Sequence, residues 1–197
     1  MRHLRLLLLF LILLPTAIQA VDAPVPASGA GDLPSYTEVA GEDGITRRGV
    51  AWPVPRFVDN SNGTVTDQLT GLVWLKNANA FNTRTWAQAL ADCAALANGQ
   101  YSLTDGSTAG QWRLPSIREL KSLVCLQYAN PPLANTQGTA QWTADQPFSS
   151  VQSGYYWSST SHATNASSAW LVGFGGGRLV ADGKTFTYYV WPVRAGP

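Results

Sequence analysis

Charge, histidine and cysteine are all scarce in this sequence, and each scarcity removes a class of function. Only 13% of the 197 residues are Asp, Glu, Lys or Arg. Once Arg2 and Arg5 of the first twenty residues are set aside, eleven basic residues face twelve acidic ones. No basic field is left to hold a phosphate backbone, so a nucleic-acid partner is not expected. Of two histidines, His3 and His162, only His162 lies beyond the first twenty residues. No zinc-type spacing of Cys and His exists, and neither a metal nor a cofactor is expected. No carboxylate pair stands in an apolar setting, and a Cys–His dyad would need a cysteine released from a helix face. No catalytic residue is therefore assigned, and the chain reads as non-enzymatic. There is no internal repeat at a solenoid or propeller period.

What is present begins with a secretory signal over 1–20. Arg2 and Arg5 precede the apolar run Leu6–Leu14, which is short for a bilayer span, and Pro15 and the small residues up to Ala20 follow. No later stretch is long enough to span a membrane. An exported protein is expected, in the periplasm, at the cell surface or outside the cell. Residues 21–48, rich in Ala, Pro, Gly, Ser and acids, read as a flexible leader. One domain then fills 49–197. Eight Trp and seven Tyr exceed what its core needs, which places some of them on the surface.

The domain is organised around QWRLPSIRELKSLVCLQY, residues 111–128. Pro115 holds Leu114 extended, Ser116 caps a helix and Glu119 completes a capping box. Ile117, Leu120, Val124 and Cys125 form its apolar face. TWAQALADCAALA, 85–97, predicts another helix with a Thr85/Gln88 box and with Trp86, Ala89, Leu90, Cys93 and Leu96 on one face. Strands are predicted at 57–59, 64–67 and 72–75 around the turns at Asn60–Gly63 and Gly71, and again at 155–160, 169–174, 178–181 and 188–194. Asp59, Asn62 and Asp67 lack EF-hand spacing, and turn chemistry accounts for Asn60, Asn62 and Gly63. Residues 129–154 form a long connection that Trp142 and Phe148 can pin. The order of strands, helices and strands predicts an α+β fold, helices on a twisted antiparallel sheet.

Cys93 and Cys125 are an even pair in an exported chain, each on an apolar helix face. A disulfide between them is expected, worth about 3–4 kcal/mol through loop closure. Two buried thiols are the alternative.

Several strings together resemble the Lcl C-terminal domain family, named for a collagen-like surface adhesin. They are RFVDNSNGTVTDQLTGLVWLKNAN (56–79), TWAQALADC (85–93), WRLPSIREL (112–120), YYWSST (155–160) and YYVWPVR (188–194), with GVAWPVPRF (49–57) as a lead-in. The resemblance implies a C-type-lectin-like fold related to that of formylglycine-generating enzymes. It also implies kinship with secreted adhesins, some of which bind sulfated glycans. The catalytic cysteines of those enzymes have no counterpart here. The calcium–sugar motif of classical lectins is absent too, since Gln146–Pro147 is followed by Phe148. No collagen-like tract is present.

Residues 111–197 hold six basic and three acidic residues, against five and nine over 21–110. A ligand site is therefore expected on the C-terminal loops, at His162, Asn165, Arg178, Lys184 and Tyr188, with Arg178 and Lys184 exposed. The expected ligand is a surface glycan or a protein. The alternatives are an assembly subunit of the cell envelope and, more remotely, an enzyme on the formylglycine-generating scaffold.

Overall fold

The computed structural model describes residues 49–196; the signal segment 1–20 and the leader 21–48 lie outside the described residues. The short alternating stretches form two sheets. β1 (Phe57–Asp59), β2 (Thr64–Asp67), β3 (Leu72–Leu75) and β9 (Val193–Ala195) make a four-stranded antiparallel sheet in that order. β4 (Thr83–Arg84), β8 (Tyr188–Tyr189), β5 (Tyr155–His162), β6 (Asn165–Gly173) and β7 (Arg178–Gly183) make the second, in the order β4-β8-β5-β6-β7. Its one parallel pairing, β5 with β8 at Tyr156 and Tyr189, makes this sheet mixed rather than purely antiparallel. With helices α1 (Trp86–Ala95) and α2 (Ile117–Ser122), the described residues form the expected α+β fold.

The turns behave as their residues dictate. Asn62 Oδ1 accepts from Thr64 N and Oγ1, and Asp59 Oδ1 accepts from Ser61 N. Gly63 has φ +86°, and a Cβ there would lie 2.5 Å from Ser102 O. Both the turn and the 98–110 loop crossing it demand glycine. Asp59 also pairs with Lys76 Nζ at 2.7 Å.

The predicted strand over 188–194 is split between the two sheets. Tyr188–Tyr189 joins the five-stranded sheet, Trp191 plunges into the core, and Val193–Ala195 joins the four-stranded sheet. The Trp191 ring meets Trp74, Phe148, Tyr156 and Phe174 at centroid distances of 5.0–5.8 Å. This aromatic core fills the space between the sheets. Phe148 is fully buried, and Trp142 Nε1 donates to its carbonyl at 3.2 Å. The 129–154 connection is thus pinned by the two side chains expected to do it. Four of the eight Trp, at 74, 112, 157 and 191, are fully buried, and those at 52, 86, 142 and 170 are half-buried.

Both helices begin where their caps require. Gln88 Oε1 accepts from Thr85 N at 3.0 Å. Ser116 Oγ accepts from Glu119 N at 3.3 Å, and Glu119 Oε2 accepts from Ser116 N at 2.8 Å. Arg113 forks onto the same carboxylate, with NH1 at 2.7 Å from Oε2. Ser116→Ala is expected to lower stability by about 0.5–2 kcal/mol, read as a lower urea midpoint at unchanged slope. The Arg113 hydrogen bonds, followed by those from Ser116, hold the Glu119 carboxyl at about 2, against an ordinary 4.5. Its folded-state pKa is depressed, so its stabilising contribution is complete above pH 4.5 and disappears as the pH falls towards 2. The difference in urea midpoint between wild type and Glu119→Gln should accordingly close across that interval.

Helix α2 ends at Ser122, earlier than its apolar pattern suggests, and its last carbonyl is taken by a side chain from outside it. Arg56 NH2 takes Ser122 O at 2.6 Å, and Ser122 Oγ bonds back to Glu119 O. The chain then leaves the helix axis, and Cys125 N donates to Pro132 O at 2.7 Å. This early exit overturns the expected Cys93–Cys125 disulfide. Cys93 lies buried on α1, Cys125 lies beyond the end of α2, and the two are separate buried thiols. Burial, and then the neighbouring Asp92 charge, push the Cys93 thiol far above its ordinary value, so it is inert rather than nucleophilic.

Candidate functional site

The C-terminal half of the five-stranded sheet carries all five expected site residues, but it does not use them alike. β5 and β6 form a hairpin whose tip holds His162 and Asn165, paired with each other in register. The His162 ring lies against Trp170, 5.1 Å between centroids, and its Nδ1 meets Thr164 Oγ1 at 3.3 Å. Asn165 spends its amide on its own turn: Oδ1 accepts from Ser167 N and Oγ, and Nδ2 donates to Ser168 Oγ. These contacts shape the hairpin end, where Asn165 is exposed and His162 half-buried.

Lys184 is half-buried and tied down, which corrects the expectation that it is exposed. Its Nζ donates to Ser161 Oγ at 2.7 Å and to Ala166 O at 2.8 Å, and lies 4.0 Å from the centre of the Trp86 ring. Its backbone accepts from Trp86 N at 3.1 Å and donates to Ser167 O at 2.9 Å. Lys184 therefore locks the β7–β8 connection onto the hairpin and onto the start of α1. That role is structural, because an ammonium group with two of its three donors hydrogen-bonded to protein and a ring against it has little left for an anion. Removing its charge perturbs the fold as well as any binding, so the residue is not a clean probe of ligand affinity.

Arg178 and Tyr188 share a face of the sheet with groups that the loop composition did not single out. Successive strand residues alternate sides, and the register aligns Tyr155 with Gly173 and Gly173 with Arg178. The three thus form one row. Gly173 has no side chain because the Tyr155 ring lies over it; a Cβ there would fall 2.8 Å from Tyr155 Cε1. Tyr188 leans across β5, edge-on to Trp157 at 5.0 Å and to Tyr155 at 6.0 Å. Its hydroxyl reaches over to β7 and donates to Asp182 Oδ2. That bond, with some burial, pushes the Tyr188 phenol up to about 12, so it remains a protonated donor. Trp157 underneath is fully buried and donates from Nε1 to Arg84 O at 2.8 Å.

The outcome is an aromatic shelf. Tyr155 and Tyr188 are half-buried, their ring edges fixed, with Asp182 towards one end and exposed Arg178 towards the other. Arg178 has no hydrogen-bond or ion-pair partner among the described residues. Tyr155, Gly173 and Asp182 were missed in the sequence. The signal that finds them is strand parity once the register is known: 155, 173, 178 and 182 fall on one side. Among the described residues no group of three or more His, Cys, Asp and Glu is placed to hold a metal ion. His162 and Cys93 have separate surroundings and form no dyad.

These features define a small two-sheet α+β domain with an aromatic shelf on its C-terminal sheet. The profile of the Lcl C-terminal domain family matches residues 63–194, about two thirds of the chain, and the protein belongs to that family. No curated protein matches the sequence. Among the described residues, no helix is long and apolar enough to cross a membrane.

Proposed function

We propose that this is an exported, non-enzymatic binding module with a C-type-lectin-like fold, which takes a surface glycan or a protein segment on the Tyr155–Tyr188 shelf. The observation that carries the reading is the fixed orientation of two half-exposed tyrosines. One is seated over a glycine and the other is locked by a carboxylate, on a sheet whose far side is packed core. Aromatic edges held in this way suit the apolar face of a sugar ring, and Asp182 and Arg178 supply hydrogen bonds to hydroxyl groups.

The charges favour a neutral or weakly charged saccharide over a sulfated one. Lys184 is committed internally, Asp182 brings a negative charge to the shelf, and Arg178 alone is available as a cation. Binding of this kind has little salt dependence. An assembly role in the cell envelope is the second reading, and the exposed side chains of Leu126 and Phe186 are what favour it.

A glycan array with residues 21–197 tests the first reading. Tyr155→Ala is expected to weaken a bound glycan by about 1–2 kcal/mol in calorimetry. Arg178→Ala should have a smaller effect. An array with no signal, together with capture of a single envelope protein, would replace the glycan reading with the assembly one.

A further inference from the structure

Strand β7 closes the five-stranded sheet on one side, and among the described residues nothing pairs with its outer edge. The ladder tells which groups face outward. Lys184 N donates to Ser167 O, so that pair exchanges hydrogen bonds. In an antiparallel ladder the bonded pairs alternate. Asp182, Val180 and Arg178 therefore turn their backbone groups towards β6, and Gly183, Ala181 and Leu179 turn theirs outward. No backbone group of Leu179 or Ala181 makes a bond outside the strand ladder. Six residues is an ordinary length for a strand. The middle of this one, Leu179-Val180-Ala181, has none of the charges, prolines or bulges that usually protect an edge. Leu179 is 40% exposed.

The charges of β7 indicate what covers it. Arg178 stands at one end of the strand, Asp182 near the other, both on the same face. We infer that β7 pairs antiparallel with β7 of a second copy of this chain, about a two-fold axis at Val180, to make a continuous ten-stranded sheet. This register sets Leu179 opposite Ala181 of the partner, and these are the residues whose backbone groups point outward. Each such pair exchanges two hydrogen bonds. The same register sets Arg178 opposite the partner's Asp182 on the shelf side, twice by symmetry. Asp182 already accepts from Tyr188 and from Gly183 N, but a carboxylate has about four acceptor positions and has room for the guanidinium. Leu179 and Ala181 meet on the other side and bury their exposed surface.

A two-fold axis perpendicular to the sheet leaves both shelves on the same side of the dimer. Two weak sites then act together on a repetitive surface, where the second contact forms at high effective concentration. The pairing itself stands whether or not the shelf binds a glycan.

Sedimentation equilibrium of residues 21–197 over roughly 10 μM to 1 mM tests the inference, since a single-strand contact belongs to the weak range of affinities. A reversible monomer–dimer equilibrium is expected. Arg178→Glu places like charges opposite each other twice and should raise the dissociation constant about tenfold or more. Its melting temperature at low concentration should match wild type. Ala181→Pro removes an outward N–H without touching the β6 ladder and should abolish the dimer. Three results would overturn the inference: a monomer at every concentration, a dimer indifferent to Arg178→Glu, or a dimer that appears only when residues 21–48 are deleted. The last would mean that the leader, not a second copy, occupies the edge.

Discussion

Asp67→Ala is expected to remove about 3–5 kcal/mol of folding free energy, the cost of leaving a buried charge without its counter-ion. Arg56 and Asp67 are both fully buried. The guanidinium reaches the carboxylate through Nε and NH2, each at 3.4 Å. It also takes Ser122 O at 2.6 Å and lies over the rings of Trp52 and Phe57. Asp67 in turn accepts from Leu69 N at 3.0 Å and from Thr70 Oγ1 at 3.1 Å. One carboxylate thus neutralises an arginine and closes a turn, and the arginine takes the last carbonyl of α2. With Asp67 gone, Arg56 remains charged in an apolar setting, because a guanidinium keeps its proton in proteins. Urea unfolding should show the whole loss in the midpoint. A double variant, Arg56→Met with Asp67→Leu, should be less damaged than Asp67→Ala alone, since no orphan charge remains. If the double variant proves the worse of the two, the pair is valued for its hydrogen bonds to the turn and to α2 and not for charge balance.

Trp191→Ala is expected to be comparably severe, about 3–5 kcal/mol. The indole is fully buried and touches four aromatic rings drawn from both sheets and from the 129–154 connection. Its Nε1 donates to Leu75 O at 2.9 Å, while Leu75 N donates to Pro192 O at 3.1 Å. The residue therefore fastens the segment between β8 and β9 to β3, just where the chain passes from one sheet to the other. Trp191→Phe keeps a ring in place but leaves Leu75 O without its donor, and should cost about 1–3 kcal/mol. Near-ultraviolet circular dichroism should lose much of its intensity in Trp191→Ala and little in Trp191→Phe. Equal loss of stability in both variants would show that the indole hydrogen bond, and not ring packing, is the larger contribution.

Much of the local structure was legible because its causes lie within three or four residues. Ser116 with Glu119, Thr85 with Gln88, and Asn62 with Thr64 are contacts written in the sequence at fixed spacing, and the chain forms them where that spacing says. The family was legible for a related reason: its strings fall in order over most of the domain. Where α2 stops was not legible: the group that takes its last carbonyl, Arg56, lies 66 residues away in the chain. The cysteine pairing failed for the same reason. The pairing rests on a helix face continued to residue 125, but Cys125 lies past the end of α2, where its N–H bonds to Pro132 O of the 129–154 connection. The site divided along the same line. Polar loop composition pointed to His162, Asn165 and Lys184, which the fold spends on holding the hairpin and α1 together. Arg178, Tyr155, Gly173 and Asp182 come from three strands separated in sequence, and only the register brings them to one side of the sheet. Strand parity within each segment is a property of the sequence; which residues of different strands stand opposite one another is fixed by tertiary packing, since one residue of slip would send every one of these side chains to the other face.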